Sequence, residues 1–289
     1  MGVAPAVAPP TAAVAALLAL PAAAAGVEAP PPAGPLPTAL PPHSWDTVGQ
    51  KVFIHGCKAE GLLSVEELAV AAKFPLLTVE KGQGEALPGF AEDKMAALSR
   101  QYHSARPDGW SLFYLNAKFD WNMYRMHETM LAHSDFWLRN ASDPGRGPCR
   151  CRGDPTFPQP PDGMLVFNTS SEAMREMFVG VCANATTRAG GGFSGCFIDS
   201  AATWRGQHAV KMGAECGLSG AEVGRLSDGS QRLLSELQTA VTSSRLVVAK
   251  DGGGDYSDTE WANTLFLSDT YCSECSSSPG LNASPDWFQ

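Results

Sequence analysis

Short apolar runs, each ending in a polar residue, recur along most of this chain with helical patterns between them. The runs are Val52–Cys57, Leu76–Glu80, Leu112–Asn116, Met164–Asn168, Cys196–Asp199, Leu246–Lys250 and Thr264–Ser268. Continuous apolar character marks strands buried on both faces, as parallel strands are. Ser64 with Glu67 forms a capping-box signature ahead of Leu68, Val70 and Ala71, and Thr169 with Glu172 forms another. The second opens a helix whose Met174, Met177, Phe178, Val181 and Cys182 follow one helical stripe. Gln231–Val241 repeats the theme with Leu233, Leu234, Leu237 and Val241. Strand alternating with helix means an α/β fold built on a parallel sheet.

Two architectures meet that description. A doubly wound dinucleotide-binding sheet carries a glycine-rich turn after its first strand. Here His55-Gly56-Cys57-Lys58 stands in that place, and Gly252-Gly253-Gly254 is followed by no Lys-Ser or Lys-Thr pair. The expectation is therefore a (β/α)8 TIM-like barrel. Only 21 residues follow Ser268 in a chain of 289, so the barrel is expected to be incomplete at its C-terminus.

The ends of the chain and its cysteines bear on compartment. Ala and Pro supply 26 of the first 42 residues, and Ala12–Ala25 is apolar throughout. That run is too short to span a membrane, which takes roughly 20 residues. The expected organisation is a signal peptide over 1–25, a Pro-rich linker over 26–44 and one barrel domain over 45–289, with secretion to follow. Eight cysteines, an even number, fit disulfides in an oxidising compartment. A bridge is expected from Cys149 or Cys151 to another loop cysteine, while Cys182 and Cys196 read as core. The spacing of Cys149 and Cys151 does not complete a zinc site with Cys272 and Cys275. Glycosylation triplets begin at Asn140, Asn168, Asn184 and Asn282, with Asn168 at a strand end that would block attachment.

The net charge of -9 and the absence of any basic run exclude a general nucleic-acid surface. No serine-hydrolase elbow, metal-binding histidine pair or cofactor motif is present, so no cofactor and no metal are expected. What remains is the set of polar residues at the strand ends. In a barrel these gather at one mouth. They are His55, Glu80, Lys81, Asn116, Asp120 with Trp121, Asp199, and Lys250 with Asp251. Glycoside hydrolysis takes two carboxyl groups flanking the scissile bond. Asp199 and Glu80 are the expected catalytic pair, with Asp251 in reserve. Lys81 or Lys250 would keep one carboxylate ionised. His55, Lys81, Asn116, Asp120, Trp121, Lys250 and Asp251 are the expected substrate-binding set, with Trp121 as the sugar platform. The partner expected is a carbohydrate, with no nucleic acid and no membrane span. A catalytically inactive barrel that still binds carbohydrate is the alternative.

Gly195-Cys196-Phe197-Ile198-Asp199-Ser200 resembles the strand that carries the catalytic carboxylate in TIM-barrel glycoside hydrolases of the polygalactosaminidase-like and hypothetical glycosyl hydrolase groups. Ser194 stands where those groups carry an Asp. Phe167-Asn168-Thr169 with Ala173-Met174-Arg175 is similar to another step of the group, with Asn168 in place of its Asp. Phe113–Asn116, Phe136–Arg139 and the run from Lys73 to Lys81 are similar to further pieces, so the resemblance covers roughly residues 50–200. It implies a glycosidase barrel in which Asp199 is the catalytic carboxylate.

Overall fold

The computed structural model describes residues 53–139, 145, 147–151, 162–201, 204, 206–241, 246–251 and 264–268. The expected signal peptide and linker, Cys272 and Cys275, and the sequons at Asn140 and Asn282 lie outside the described residues.

The elements in chain order are β1 (Phe53–Gly56), α1 (Val65–Ala71), β2 (Leu76–Val79), α2 (Ala91–Ala105), β3 (Trp110–Asn116) and α3 (Met126–Ala132). Then come β4 (Arg150–Cys151), β5 (Met164–Leu165), α4 (Glu172–Ala185), β6 (Gly195–Asp199), α5 (Gly206–Glu215), α6 (Gly220–Ala240), β7 (Leu246–Asp251) and β8 (Thr264–Ser268). Six strands form one parallel sheet in the order β1-β2-β3-β6-β7-β8. The order follows the chain and never reverses, so the described sheet has no switch point of the kind doubly wound folds use. Among the described residues it does not close into an eight-stranded barrel, and β1 and β8 are its edges.

The fourth expected strand accounts for part of that difference. Met164–Asn168 does not enter the sheet, and β3 pairs directly with β6. Met164 and Leu165 instead pair antiparallel with Cys151 and Arg150. Val166 and Phe167 bridge Phe119 and Trp137. Met164–Phe167 is buried, with Val166 and Phe167 almost wholly covered. An apolar run enclosed by loops reads like a strand enclosed by helices, because burial and not partner sets the pattern.

Register sorts the sheet into two faces. Leu77, Val79, Phe113, Leu115, Cys196 and Ile198 share one face, since residues paired across parallel strands point the same way. That face carries helices. Ser111 beside them bonds Ser99 and His103 of α2, and Cys196 is disulfide-bonded to Cys182 of α4. The cysteine pair expected to be plain core is therefore core and bridge together. α4 presents Met174, Phe178 and Cys182 to that core, with Met177 and Val181 half-buried against it.

Local signals set the helix starts. Ser64 and Glu67 form the expected capping box at α1. At α4 the cap is Ser171, not Thr169, because the Thr169 hydroxyl is spent on the carbonyl of Leu226. α6 begins with a second capping box, Ser219 with Glu222, and starts well before Gln231. Its Gly229 lies where a Cβ would come within 2.1 Å of the Thr169 carbonyl oxygen, so α6 needs glycine there to approach this closely. Cys149 and Cys216 form the second described disulfide and tie the loop before β4 to the end of α5. Cys57 and Cys151 are free. No described helix is long and apolar enough to cross a membrane.

Candidate active site

Because the sheet is parallel, its strands all end at one edge. Glu80 follows β2, Asn116 ends β3, Asp199 ends β6, and Lys250 and Asp251 end β7. Asn116 and Asp199 are register partners on the face opposite the helices, which Tyr114 and Phe197 share. The rings of Tyr114 and Phe197 stack at 6.0 Å.

Asp199 is the centre of the described contacts. Its Oδ2 accepts the Tyr114 hydroxyl at 2.6 Å and Asn116 Nδ2 at 3.2 Å. Its Oδ1 accepts the backbone N–H of Ser200 at 2.8 Å. Three donors thus solvate one carboxylate at the end of an apolar strand, which is what such a group requires away from water. Asp199 is only half-buried, so it stays open to a ligand. Ser200 sits at φ +58°, the left-handed region that a non-glycine residue avoids. Strain of this kind collects at functional sites. Burial first, then Asp199 and Glu80, pushes the Tyr114 phenol well above its ordinary value. It stays protonated and keeps donating to Asp199.

Glu80 and Lys81 form the second part of the site. Lys81 Nζ lies 2.6 Å from Glu80 Oε1, and Glu80 Oε2 accepts the N–H of Gly82. Both side chains are nearly buried. The ammonium of Lys81 also lies 4.7 Å from the ring centres of Tyr114 and of Trp121, between two aromatic faces. Tyr114 therefore touches both halves, Asp199 through its hydroxyl and Lys81 through its ring. A cleft of about 250 Å³ adjoins, lined by Lys81, Glu85, Leu87, Lys94, Asn122 and Met123.

The structure thus joins five of the residues expected from sequence: Glu80, Lys81, Asn116, Trp121 and Asp199. No described side-chain contact joins Asp120 to them. Its side chain is fully buried and its Oδ2 meets Nδ1 of His127 at 2.5 Å. His55 pairs in register with Thr78 on β2, and Lys250 and Asp251 pair with Leu267 and Ser268 on β8. Those three are described here by backbone position alone. Tyr114 and Ser200 are additions. Tyr114 lies inside an apolar strand and reads as core, and only its two-residue offset from Asn116 placed it on the polar face. A second cleft, of about 380 Å³, lies elsewhere beside Trp137, Arg139, Asn168 and Arg225. Among the described residues no group of His, Cys, Asp or Glu is arranged to hold a metal ion.

No family model and no curated protein matches the chain. Among solved structures it is similar to a GH36 alpha-galactosidase from Geobacillus stearothermophilus, at 12% identity and a TM-score of 0.42, over 71% of this chain and 28% of that one. It is similar to a debranching enzyme from Nostoc punctiforme at 9% identity and a TM-score of 0.41, over 76% and 53% of the two chains. An alpha-L-fucosidase from Paenibacillus thiaminolyticus matches at 11% identity and a TM-score of 0.39, over 69% and 32%. The chain spans less than a third of the length of the galactosidase.

Proposed function

We propose that this chain is a glycoside hydrolase-like protein acting on a polysaccharide or glycan, with Asp199 as nucleophile or base. The observation that carries the reading is the setting of Asp199. A half-open carboxylate at a strand end is held by Tyr114, Asn116 and Ser200, beside a buried cation and an indole. Held donors fix the carboxylate in one orientation, and orientation is what a nucleophile or base needs. Lys81 lines the adjoining cleft, and the Trp121 ring packs behind its ammonium.

The second carboxyl group is Glu80, with Asp251 as the alternative. A general acid must begin protonated. Glu80 is bound to Lys81 and to a backbone N–H, both of which suit the ionised form. Its service as acid therefore requires the substrate to draw Lys81 away. The same engagement supports the second reading, a barrel-like protein that binds carbohydrate without cleaving it. Secretion belongs to this proposal. Two disulfides and an Ala/Pro-rich leader suit an oxidising compartment. Glycosylation does too at the exposed Asn184, but not at Asn168, whose Nδ2 is donated to the Asp135 carbonyl.

The test is a screen of the purified protein against a polysaccharide panel, reading both binding and release of reducing ends, with Asp199→Asn in parallel. Cleavage by the wild type that Asp199→Asn loses supports the hydrolase. Binding by both proteins with cleavage by neither supports the binding module. Neither binding nor cleavage across the panel sinks both.

A further inference from the structure

Asp120 and His127 form a pair that the site chemistry does not use. The Asp120 side chain has no exposed surface. Its Oδ2 meets His127 Nδ1, and its Oδ1 has no hydrogen-bond partner. A fully buried carboxylate with a single donor is costly, and it depends on whatever positive charge that donor carries. His127 lies in α3 with about a fifth of its side chain exposed, so solvent protons reach it.

Position gives the pair its consequence. Asp120 directly precedes Trp121, one of the two rings enclosing Lys81. The segment between β3 and Trp121 is pinned at both ends by side chains. At its start Asn116 Oδ1 accepts the N–H groups of Lys118 and Phe119, while Asn116 Nδ2 donates to Asp199. At its finish Asp120 donates its N–H to the Leu165 carbonyl and binds His127 through its carboxylate. Trp121 leans edge-on against Phe119 within the same segment. The segment runs from the Asp199 network to the Lys81 wall, with the Asp120–His127 contact beside the indole.

We propose that the Asp120–His127 pair is a proton-operated latch that positions Trp121 against Lys81. With His127 protonated, an imidazolium faces the carboxylate and the latch is held. When His127 loses its proton, which leaves to solvent, the carboxylate keeps at most a neutral N–H donor and the indole is released from its fixed place. The charges facing His127 are Asp120 from the segment after β3, Glu128 from α3 and Arg150 from β4. Asp120 faces His127, and Trp121 faces Lys81, which Glu80 neutralises. The hydrogen bond to Asp120 raises the proton affinity of His127, and burial raises that of Asp120. Both groups hold their protons more tightly folded than unfolded. The imidazolium–carboxylate latch therefore holds between the raised Asp120 and raised His127 values: it is lost as pH rises through the His127 value, and again as pH falls through the Asp120 value.

The test needs no substrate, so its failure leaves the Asp199 reading standing, and the reverse. The indole N–H resonance of Trp121, assigned by its loss in Trp121→Phe, is followed upward from about pH 5 together with the His127 ring protons. The expected result is a Trp121 shift whose midpoint coincides with His127 titration, above the ordinary histidine value. His127→Gln and Asp120→Asn should each abolish it while the other indoles behave as before. A Trp121 resonance that stays still through His127 titration overturns the latch, as does a shift that persists in His127→Gln. If circular dichroism shows that Asp120→Asn does not fold, the partly exposed His127→Gln decides alone.

Discussion

The two faces of the sheet are built from alternate residues of the same strands, yet they obey different rules. On the helix side Val79, Phe113, Leu115, Cys196 and Ile198 are almost completely covered and carry no polar side-chain group. On the other side Tyr114, Asn116 and Asp199 are tied to each other by hydrogen bonds. The first face gains from apolar area removed from water, at about 25 cal/mol per Å². The second must satisfy every polar group it encloses. One strand thus serves stability and chemistry at once, and a substitution should affect one far more than the other.

Asp199→Asn is the strongest probe of that division. On a glycan that the wild type cleaves, turnover should fall roughly ten-thousand-fold, about 5 kcal/mol in barrier, with the melting temperature nearly unchanged. A large loss of stability instead would mean that the polar face is structural. Phe178→Ala probes the helix side, where α4 meets Phe167 edge-on. It should cost about 3–5 kcal/mol in denaturant unfolding while turnover per folded molecule is kept. Removing the Cys182–Cys196 bridge as a double alanine variant should cost about 3 kcal/mol, again without loss of turnover. If turnover falls with it, the two faces are coupled through β6. The mildest probe is Tyr114→Phe, which deletes one hydrogen bond to a carboxylate and leaves both rings in place. It should lower turnover by about 2 kcal/mol, roughly thirty-fold, with little effect on unfolding.

Part of this was readable from the residues alone. Apolar runs with helical stripes between them gave the parallel sheet, because burial on both faces leaves an unbroken signature. Glu80, Asn116 and Asp199 could be named because a polar residue after such a run falls at the strand end. The route of Met164–Asn168 was hidden, since nothing in a buried run says whether its hydrogen bonds go to the sheet or to the segments around Phe119 and Trp137. The contact that Asp120 makes with His127 was hidden for a related reason. The neighbouring Trp121 does reach the site, but a one-residue step turns the carboxylate toward α3, and His127 lies seven residues on with no motif to announce the pair. Tyr114 was missed because a phenol in an apolar strand looks like any other aromatic core residue.

The direct pairing of β3 with β6 has a kinetic consequence. Residues 117–194 separate the two strands of the sheet's central pair in sequence. Closing a loop of roughly 80 residues adds only logarithmically to the entropy cost, so the finished fold bears it easily. The rate bears it less well, because contacts far apart in sequence form slowly. Until that pairing forms, β3 has an open edge with Tyr114 and Phe113 uncovered. Such an edge can recruit another chain. The β1-β2-β3 pairings join residues closer in sequence than the β3–β6 pairing does, and contacts of that kind form faster.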